Sequence, residues 1–384
     1  MLYFDHCAST PPYDEVINTL AEVMKVHYAN PSSLHRAGAE ADKLILRSRT
    51  LLGEMFGVKA EEWLFTSGGT ESNNLAIKGA AKQYRSRGNH LITTQVEHAS
   101  VYDAFKQLEQ EGYRVTYLPV NETGHVDPEQ LQLAITDETL LVSIMHVNNE
   151  VGAIQPLAEI GQLLKKYPRI LFHVDAVQSV GKLPIHLKEW GIDLLTGSAH
   201  KLRGPKGIGY LYVRESIKLY PLQSGGLQER SMRAGTQNVP GIVASAKALR
   251  MAMQSEKKRS ERMYALRKQL VAEIDNMPEL CINGGEHSVM APHIVHFSYP
   301  GMKPEVIVHM LEEQGVIAST KSACSSKDDK PSRVLLAMGV GMERATGGVR
   351  ISFGDEHTEQ DIERLGLALR ATVAKLRPLE RSMK

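Results

Sequence analysis

Between residues 62 and 213, short apolar runs alternate with longer amphipathic stretches. The runs, rich in Val, Ile, Leu and Phe, predict strands at Glu62–Thr66, His90–Thr94, Arg114–Leu118, Leu140–Met145, Ile170–Val174, Leu194–Thr196 and Gly209–Val213. The stretches between them predict helices at Ser72–Arg85, Ala99–Gln110, Pro128–Ala134, Leu157–Lys166 and, more briefly, Ile185–Trp190. Such alternation is the pattern of β-α repeats around a mainly parallel sheet, so this region reads as an α/β domain. After Pro240 the pattern changes. Met, Leu and Ile recur at helical spacing among Lys, Arg and Glu from Ile242 to about Asn276, which predicts one long helix linking two lobes. Beyond it, strands at Ile294–Ser298, Ile317–Ser319 and Gly348–Ser352, a helix near Pro304–Gln314 and a closing helix from Thr358 predict a smaller α+β lobe. The most loop-like stretch is Ser319–Ser332, dense in Ser, Lys and Asp.

A chain of 384 residues with this change of pattern fits a large and a small domain sharing an interface. Its 45 Lys and Arg against 44 Asp and Glu give no global electrostatic reason to expect nucleic acid or an acidic membrane as partner, so a small ligand is expected. The three cysteines, Cys7, Cys281 and Cys324, lie far apart without C-x-x-C spacing. That argues against a disulfide framework or a structural zinc site and fits a reducing compartment. No signal-peptide pattern opens the chain and no stretch reaches the roughly 20 apolar residues of a membrane span, so a cytoplasmic protein with no metal is expected.

Three segments carry candidate chemistry. In Ser198-Ala199-His200-Lys201-Leu202-Arg203-Gly204-Pro205 a lysine follows a predicted strand and precedes a Gly/Pro turn. Partial burial lowers a lysine's pKa, and the free amine so produced attacks an aldehyde to form a Schiff base; neutralising a carboxylate is the alternative role. In Phe172-His173-Val174-Asp175-Ala176-Val177-Gln178 an apolar strand ends in an aspartate, and side chains at the carboxyl end of a strand in an open α/β sheet face the ligand crevice. Asp175 there can pair with a protonated pyridine nitrogen and Gln178 can donate to a ring oxygen, or Asp175 can cap the helix that follows. In Phe65-Thr66-Ser67-Gly68-Gly69-Thr70-Glu71 a glycine pair opens a helix, where free backbone N–H groups suit a phosphate.

Seven motifs, SGGTESNN, VEHASV, MHVNNEVG, HVDAVQS, SAHKLRGPKG, MRAGT and SACSS, stand in the order found in cysteine desulfurases, and the resemblance runs from Phe4-Asp5-His6 to the final helix. It implies a fold-type-I enzyme dependent on pyridoxal 5'-phosphate, a homodimer, a large domain over residues 14–260 and a small domain over 1–13 and 261–384 that carries the Cys324 loop. Motif by motif, Lys201 resembles the lysine that bonds the cofactor, Asp175 the pyridine partner and Gln178 the phenolate partner. His98 resembles the imidazole stacked over the ring; without the resemblance a histidine there reads as a cap or core residue. Gly69, Thr70, Ser198 and His200 correspond to phosphate-side ligands, and Thr236 to a residue reaching the phosphate of the neighbouring subunit. Asn149 resembles a residue near the substrate carboxylate and the ring oxygen. Arg350 resembles the substrate-carboxylate arginine, a role suited to a planar guanidinium fork; an exposed strand arginine is the reading without the family.

Cys324 resembles the residue that receives sulfur. Its polar segment makes core packing improbable, Lys321 and Lys327 favour the thiolate, and a mobile loop suits a group that collects sulfur and carries it to an acceptor. Cys281 reads as an inert strand cysteine and Cys7 as packing, although Cys7 stands where the family usually has another small residue. The implied reaction converts L-cysteine to L-alanine and leaves a persulfide on Cys324. A pyridoxal-phosphate aminotransferase would share Lys201, Asp175 and the phosphate loop but needs no loop cysteine; a selenocysteine lyase would share the whole set, and a non-catalytic sulfur carrier would need none of it intact. Departures from the family pattern are Leu227 after Gly225-Gly226, Ala199 before His200, and Asp355 after Gly354. Members of the family that feed iron–sulfur scaffolds often end in an aromatic and apolar tail, whereas Arg370 to Lys384 is charged, so of the two acceptors the resemblance implies, a tRNA-thiolation sulfurtransferase or an iron–sulfur scaffold, the former is expected.

Overall fold

The computed structural model describes residues 1–320 and 330–380, the side chains of the last two excepted; Lys321, Cys324 and Lys327 lie outside the described residues. Seven strands form one sheet in the order Trp63–Thr66, Gly209–Val213, Leu194–Ser198, Leu171–Asp175, Thr139–Ser143, His90–Thr94, Arg114–Leu118. Only Gly209–Val213 runs antiparallel to its neighbours. The central strands are buried on both faces, which is why they read as continuous apolar runs rather than as alternation. Within them the side chains still divide by the period of two. Trp63, Phe65, Ile92, Val142 and Phe172 enter the core on one face, and Leu64, Leu91, Leu141 and Leu171 the core on the other. Because six strands share one direction, the turns carrying Gly69, His98, Asn149, Gln178 and Lys201 all leave the same edge.

A second, antiparallel sheet orders Gly348–Ser352, Ile294–Ser298 and Cys281–Ile282, and Leu2–Tyr3 pairs in parallel with Val316–Ile317. Its core joins Phe4 to Leu266, Leu270, Phe297, Ile351 and Leu365, so the start of the chain packs with its last third. This stitching sets Asp5 beside Arg350.

Three expectations need correction. The single helix from Ile242 to Asn276 is two, Val239–Gln254 and Glu256–Asp275. Ser255 breaks it: its backbone leaves helical geometry at φ −108°, ψ 6°, and its hydroxyl donates to the Met251 carbonyl at 3.0 Å. The halves serve different cores, Ala244 and Ala248 against Val16, and Leu266, Leu270 and Ile274 against Phe4. Ile185–Trp190 is no helix but an isolated turn closed by Trp190 N–H on the His186 carbonyl. The strand expected at Ile317–Ser319 is Val316–Ile317, with Ser319 joined separately to Arg350. Two helices absent from the expected set, Asp14–Val26 and Arg36–Phe56, precede the first large-sheet strand.

Candidate active site

A cleft of about 720 Å³ opens at the carboxyl edge of the large sheet. Gly69, Thr70, His98, Asn149, Asp175, Gln178, Ser198, His200, Lys201 and Arg350, ten residues singled out from the sequence, all line it. Thr236 does not; it is exposed.

Lys201 ends a short turn after strand Leu194–Ser198, and its Nζ donates to the Cys7 carbonyl and, at 2.7 Å, to the Ala8 carbonyl. The Cys7 carbonyl also accepts from Gln178 Nε2 at 3.1 Å, so the N-terminal segment is a wall of the cleft. Cys7 itself is buried, packs with Val147 and Ile294 and lines the cleft. Below Lys201 lies the buried Lys182, whose amine donates to the Gln178 and Lys201 carbonyls; burial pulls its pKa down to about 8.

Asp175, the last residue of strand Leu171–Asp175, accepts from Val177 N–H at 3.0 Å and from Asn73 Nδ2 at 2.8 Å. His98 caps helix Ala99–Gln110 through Nδ1 and also lines the cleft. Its pKa is lowered by burial, opposed by the Asp175 charge and reinforced by Lys201. His200 is pushed down to about 4 by burial and by Lys201 beyond it, which leaves a neutral ring at neutral pH.

Gly69 opens helix Gly69–Gln83, three residues before the predicted start. A Cβ there would lie 2.9 Å from Val177 Cγ2, so only glycine brings these N–H groups to the cleft. Glu71 accepts from Ser67 N–H at 2.6 Å and pairs with Arg233 at 2.8 Å. Arg233 belongs to MRAGT, so this pair ties that motif to the phosphate-type loop of its own chain.

Arg350 is buried, not an exposed strand arginine. Nη2 donates to Asp5 Oδ1 at 2.9 Å and Nη1 to the Asn149 carbonyl at 2.8 Å, while Nε has no partner among the described residues. The Asn148 side chain accepts from Glu150 and Val151 N–H, forming the turn that presents Asn149. The two ends of the segment containing Cys324 are tied to the same machinery. Ser319 exchanges backbone hydrogen bonds with Arg350, Ser332 donates to Glu150 at 2.6 Å, and Arg333 donates to the Gln95 and Glu97 carbonyls just before His98.

Sequence reasoning missed Asn73, Ser100, Asp5 and Lys182. Asn73 and Ser100 lie inside quoted motifs, but nothing in a motif shows that they touch.

Glu97, beside His98, is fully enclosed, and burial pushes its carboxyl up to about 8 against hydrogen bonds from Met145 N–H and Thr94. A raised carboxyl pKa means the folded chain holds a proton that the unfolded chain has already lost, so this group's stabilisation falls as pH rises towards 8. His90, His146 and His173, depressed to about 4, 4 and 3, act oppositely but only below about pH 6.5. Between pH 6.5 and 8 the Glu97 slope therefore dominates, worth about 2 kcal/mol over that interval. Urea midpoints should fall across this window in the wild type and flatten in Glu97→Gln; equal slopes would contradict the assignment.

The donor set fits pyridoxal phosphate. A carboxylate suits the pyridine nitrogen, an amine the aldehyde, and a helix whose opening glycine leaves no room for a Cβ the phosphate. The Aminotransferase class-V family model matches residues 2–365. The cysteine desulfurase IscS of Dictyoglomus turgidum is 42% identical over 378 residues, 98% of this chain and 96% of that protein. The cysteine desulfurase IscS of Methanosarcina thermophila is 41% identical over 377 residues, 98% and 93% of the two chains. A solved NifS-like protein superposes with a TM-score of 0.90 at 36% identity, covering 98% of this chain and 99% of the other. The chain therefore belongs to the class-V aminotransferases and, within them, to the pyridoxal-phosphate-dependent cysteine desulfurase family.

Proposed function

We propose that this chain converts L-cysteine to L-alanine and passes the sulfur, through Cys324, to a protein acceptor. The observation that carries this reading is the convergence of Lys201, Asp175 and the buried Arg350 on one cleft. Bound pyridoxal phosphate supplies an electron sink for negative charge at the substrate Cα. Asp175, held by Asn73 and Val177, would present its carboxylate to the pyridine nitrogen in the cleft. Lys201 would be the amine that bonds the cofactor aldehyde, and its Nζ would carry a proton at the substrate Cα. Ser198, His200, Gly69 and Thr70, which line the cleft, would hold the phosphate, and Gln178 and Asn149 the ring oxygen. Arg350, whose guanidinium lines the cleft and is held by Asp5 and the Asn149 carbonyl, takes the substrate carboxylate. Cys324 then attacks the substrate sulfur: the Cβ–S bond breaks, an S–S bond forms, and the two thiol hydrogens end on the alanine methyl group and the persulfide. No outside oxidant is needed. Incubating the holoenzyme with L-cysteine and a thiol reductant should release alanine and sulfide in equal amounts. Amino transfer to a keto acid without sulfide would overturn this reading in favour of an aminotransferase.

Arg350→Ala should raise the cysteine concentration needed for half-maximal rate by at least tenfold. Truncating one partner of a buried charged pair costs roughly 2–5 kcal/mol. Because the change also strands Asp5, the double variant Arg350→Ala with Asp5→Asn separates lost folding from lost substrate binding. An unchanged substrate dependence in both would place the carboxylate elsewhere.

We also assign residues 14–260 to a large domain and residues 1–13 with 261–384 to a small one, on the strength of Phe4 packing into the core of the last third. The exposed Thr236 supports a homodimer in which it reaches the partner's phosphate. Light scattering during turnover should give a dimer, and Thr236→Ala should weaken cofactor retention without changing that mass; a fully active monomer would contradict it. The free Cys7 and Cys281 suit the reducing cytoplasm. Among the described residues, no helix is long and apolar enough to cross a membrane.

A further inference from the structure

Four side chains that line the cleft form a continuous chain of hydrogen bonds. Asn73 Nδ2 donates to Asp175 Oδ2 at 2.8 Å and to Ser100 Oγ at 2.8 Å, and Ser100 Oγ lies 2.8 Å from His98 Nδ1. Asn73 and Asp175 are buried, and Ser100 and His98 line the cleft.

Donor and acceptor rules give this chain one direction. An ionised carboxylate only accepts, so the nitrogen of the Asn73 amide must face Asp175; the reversed amide would set oxygen against oxygen. That nitrogen's second hydrogen points to Ser100 Oγ, which therefore accepts from Asn73 and keeps its single hydrogen for His98 Nδ1. An independent contact points the same way. Ser100 N–H, which can only donate, lies 3.1 Å from the same Nδ1. Two donors aimed at one ring nitrogen leave no room for a proton on it.

We propose that Asn73 and Ser100 are positioning residues that hold His98 as the neutral tautomer protonated on Nε2. Nδ1 is then committed to Ser100 at the start of helix Ala99–Gln110, and Nε2 carries the ring's proton, a hydrogen-bond donor rather than a base in the resting enzyme. To take up a proton, His98 must do so on Nδ1. The Ser100 hydroxyl must then turn away, and the new N–H must face a backbone N–H. Burial and this wiring therefore act in the same sense. Asp175 is wired to His98 through an amide and a hydroxyl, without direct contact. Replacing Asn73 with an apolar side chain frees the Ser100 hydroxyl to turn and accept, which favours the protonated ring.

The catalytic consequence rests on the desulfuration reading, but the tautomer does not, so the two can fail separately. Long-range proton–nitrogen correlation spectra of the holoenzyme labelled with ¹⁵N-histidine, with His98 assigned by its loss in His98→Gln, read the proton's position directly. The expected wild-type pattern at neutral pH is Nε2–H. Asn73→Leu should raise the proton affinity of His98 by about threefold or more, the size of one lost hydrogen bond, while Ser100→Thr, which keeps the hydroxyl, should match the wild type. A merely structural role for Asn73 would leave the His98 titration unmoved. An Nδ1–H or doubly protonated ring in the wild type overturns the proposal whatever the variants do, and so does an unchanged titration in a folded Asn73→Leu or in the smaller Asn73→Ser.

Discussion

Lys201→Ala is expected to purify without the visible absorbance of a lysine-linked cofactor and to lose desulfuration by a factor on the order of 10³ to 10⁴ or more, since it removes both the bonding amine and a positioned proton carrier. Part of the loss will be structural, because Nζ satisfies the carbonyls of Cys7 and Ala8, and stranding such acceptors costs about 1–3 kcal/mol each. Lys201→Arg separates the two effects. Arginine keeps a cationic donor at the N-terminal wall, but its guanidinium stays protonated and is no nucleophile. If chemistry dominates, the Arg variant should fold like the wild type and be as inactive as the Ala variant. Lys182 is the obvious competitor, buried against the Lys201 carbonyl with its pKa drawn down to about 8. It lines a neighbouring cavity and not the cleft that holds Asp175 and Arg350. Borohydride reduction of the wild type followed by peptide mapping should tag Lys201, and a tag on Lys182 would move the cofactor bond to the other cavity.

How far the residues alone foretold this arrangement follows from the range of each interaction. The parallel strands were legible because burial on both faces demands unbroken apolar runs, and the candidates Lys201, Asp175, Gln178 and Gly69 were legible because they stand directly after those runs, whereas His98, Asn149 and Arg350 were singled out only by resemblance. The two N-terminal helices were not. Asp14–Val26 buries only Val16 and Val23, while Ile17, Met24 and Val26 are exposed and blur the period. Arg36–Phe56 buries Gly38, Ala41, Ser48 and Gly53 beside only two large apolar residues, Ile45 and Leu52, so its hydropathy signal is thin. The break at Ser255 follows from a change of packing partner that no local pattern records. Arg350 becomes a buried fork only because Asp5, 345 positions away, meets it across the stitched sheets. The chain from Asp175 to His98 is likewise made of contacts between motifs, each of which shows only its own few residues. The placement of Cys324 is outside the described residues, and its assignment stands on the SACSS resemblance and on the anchoring of Ser319 and Ser332 beside Arg350 and Glu150.

Those anchors shape the expectation for Cys324→Ser. The substitution changes one atom in a polar segment and leaves Lys201, Asp175 and Arg350 in the sequence, so the variant should retain the cofactor and still perturb its spectrum on adding cysteine. Sulfur transfer should nevertheless fall to background. A serine hydroxyl is protonated at neutral pH and forms no stable analogue of a persulfide, whereas a thiolate is both nucleophile and carrier. With ³⁵S-cysteine, wild type should carry label that a thiol reductant removes, and Cys324→Ser should carry none. Cys7→Ser supplies the control, because Cys7 also lines the cleft yet is packed against Val147 and Ile294. It should keep transfer within a few-fold of wild type if its thiol is only packing. Label on Cys324→Ser that disappears in the double variant with Cys7→Ser would make Cys7 the carrier and sink the mechanism. Supplying in turn a tRNA-thiolation sulfurtransferase and an iron–sulfur scaffold then identifies the acceptor by which is labelled faster. Neither should be labelled by Cys324→Ser, since both must draw on the same persulfide.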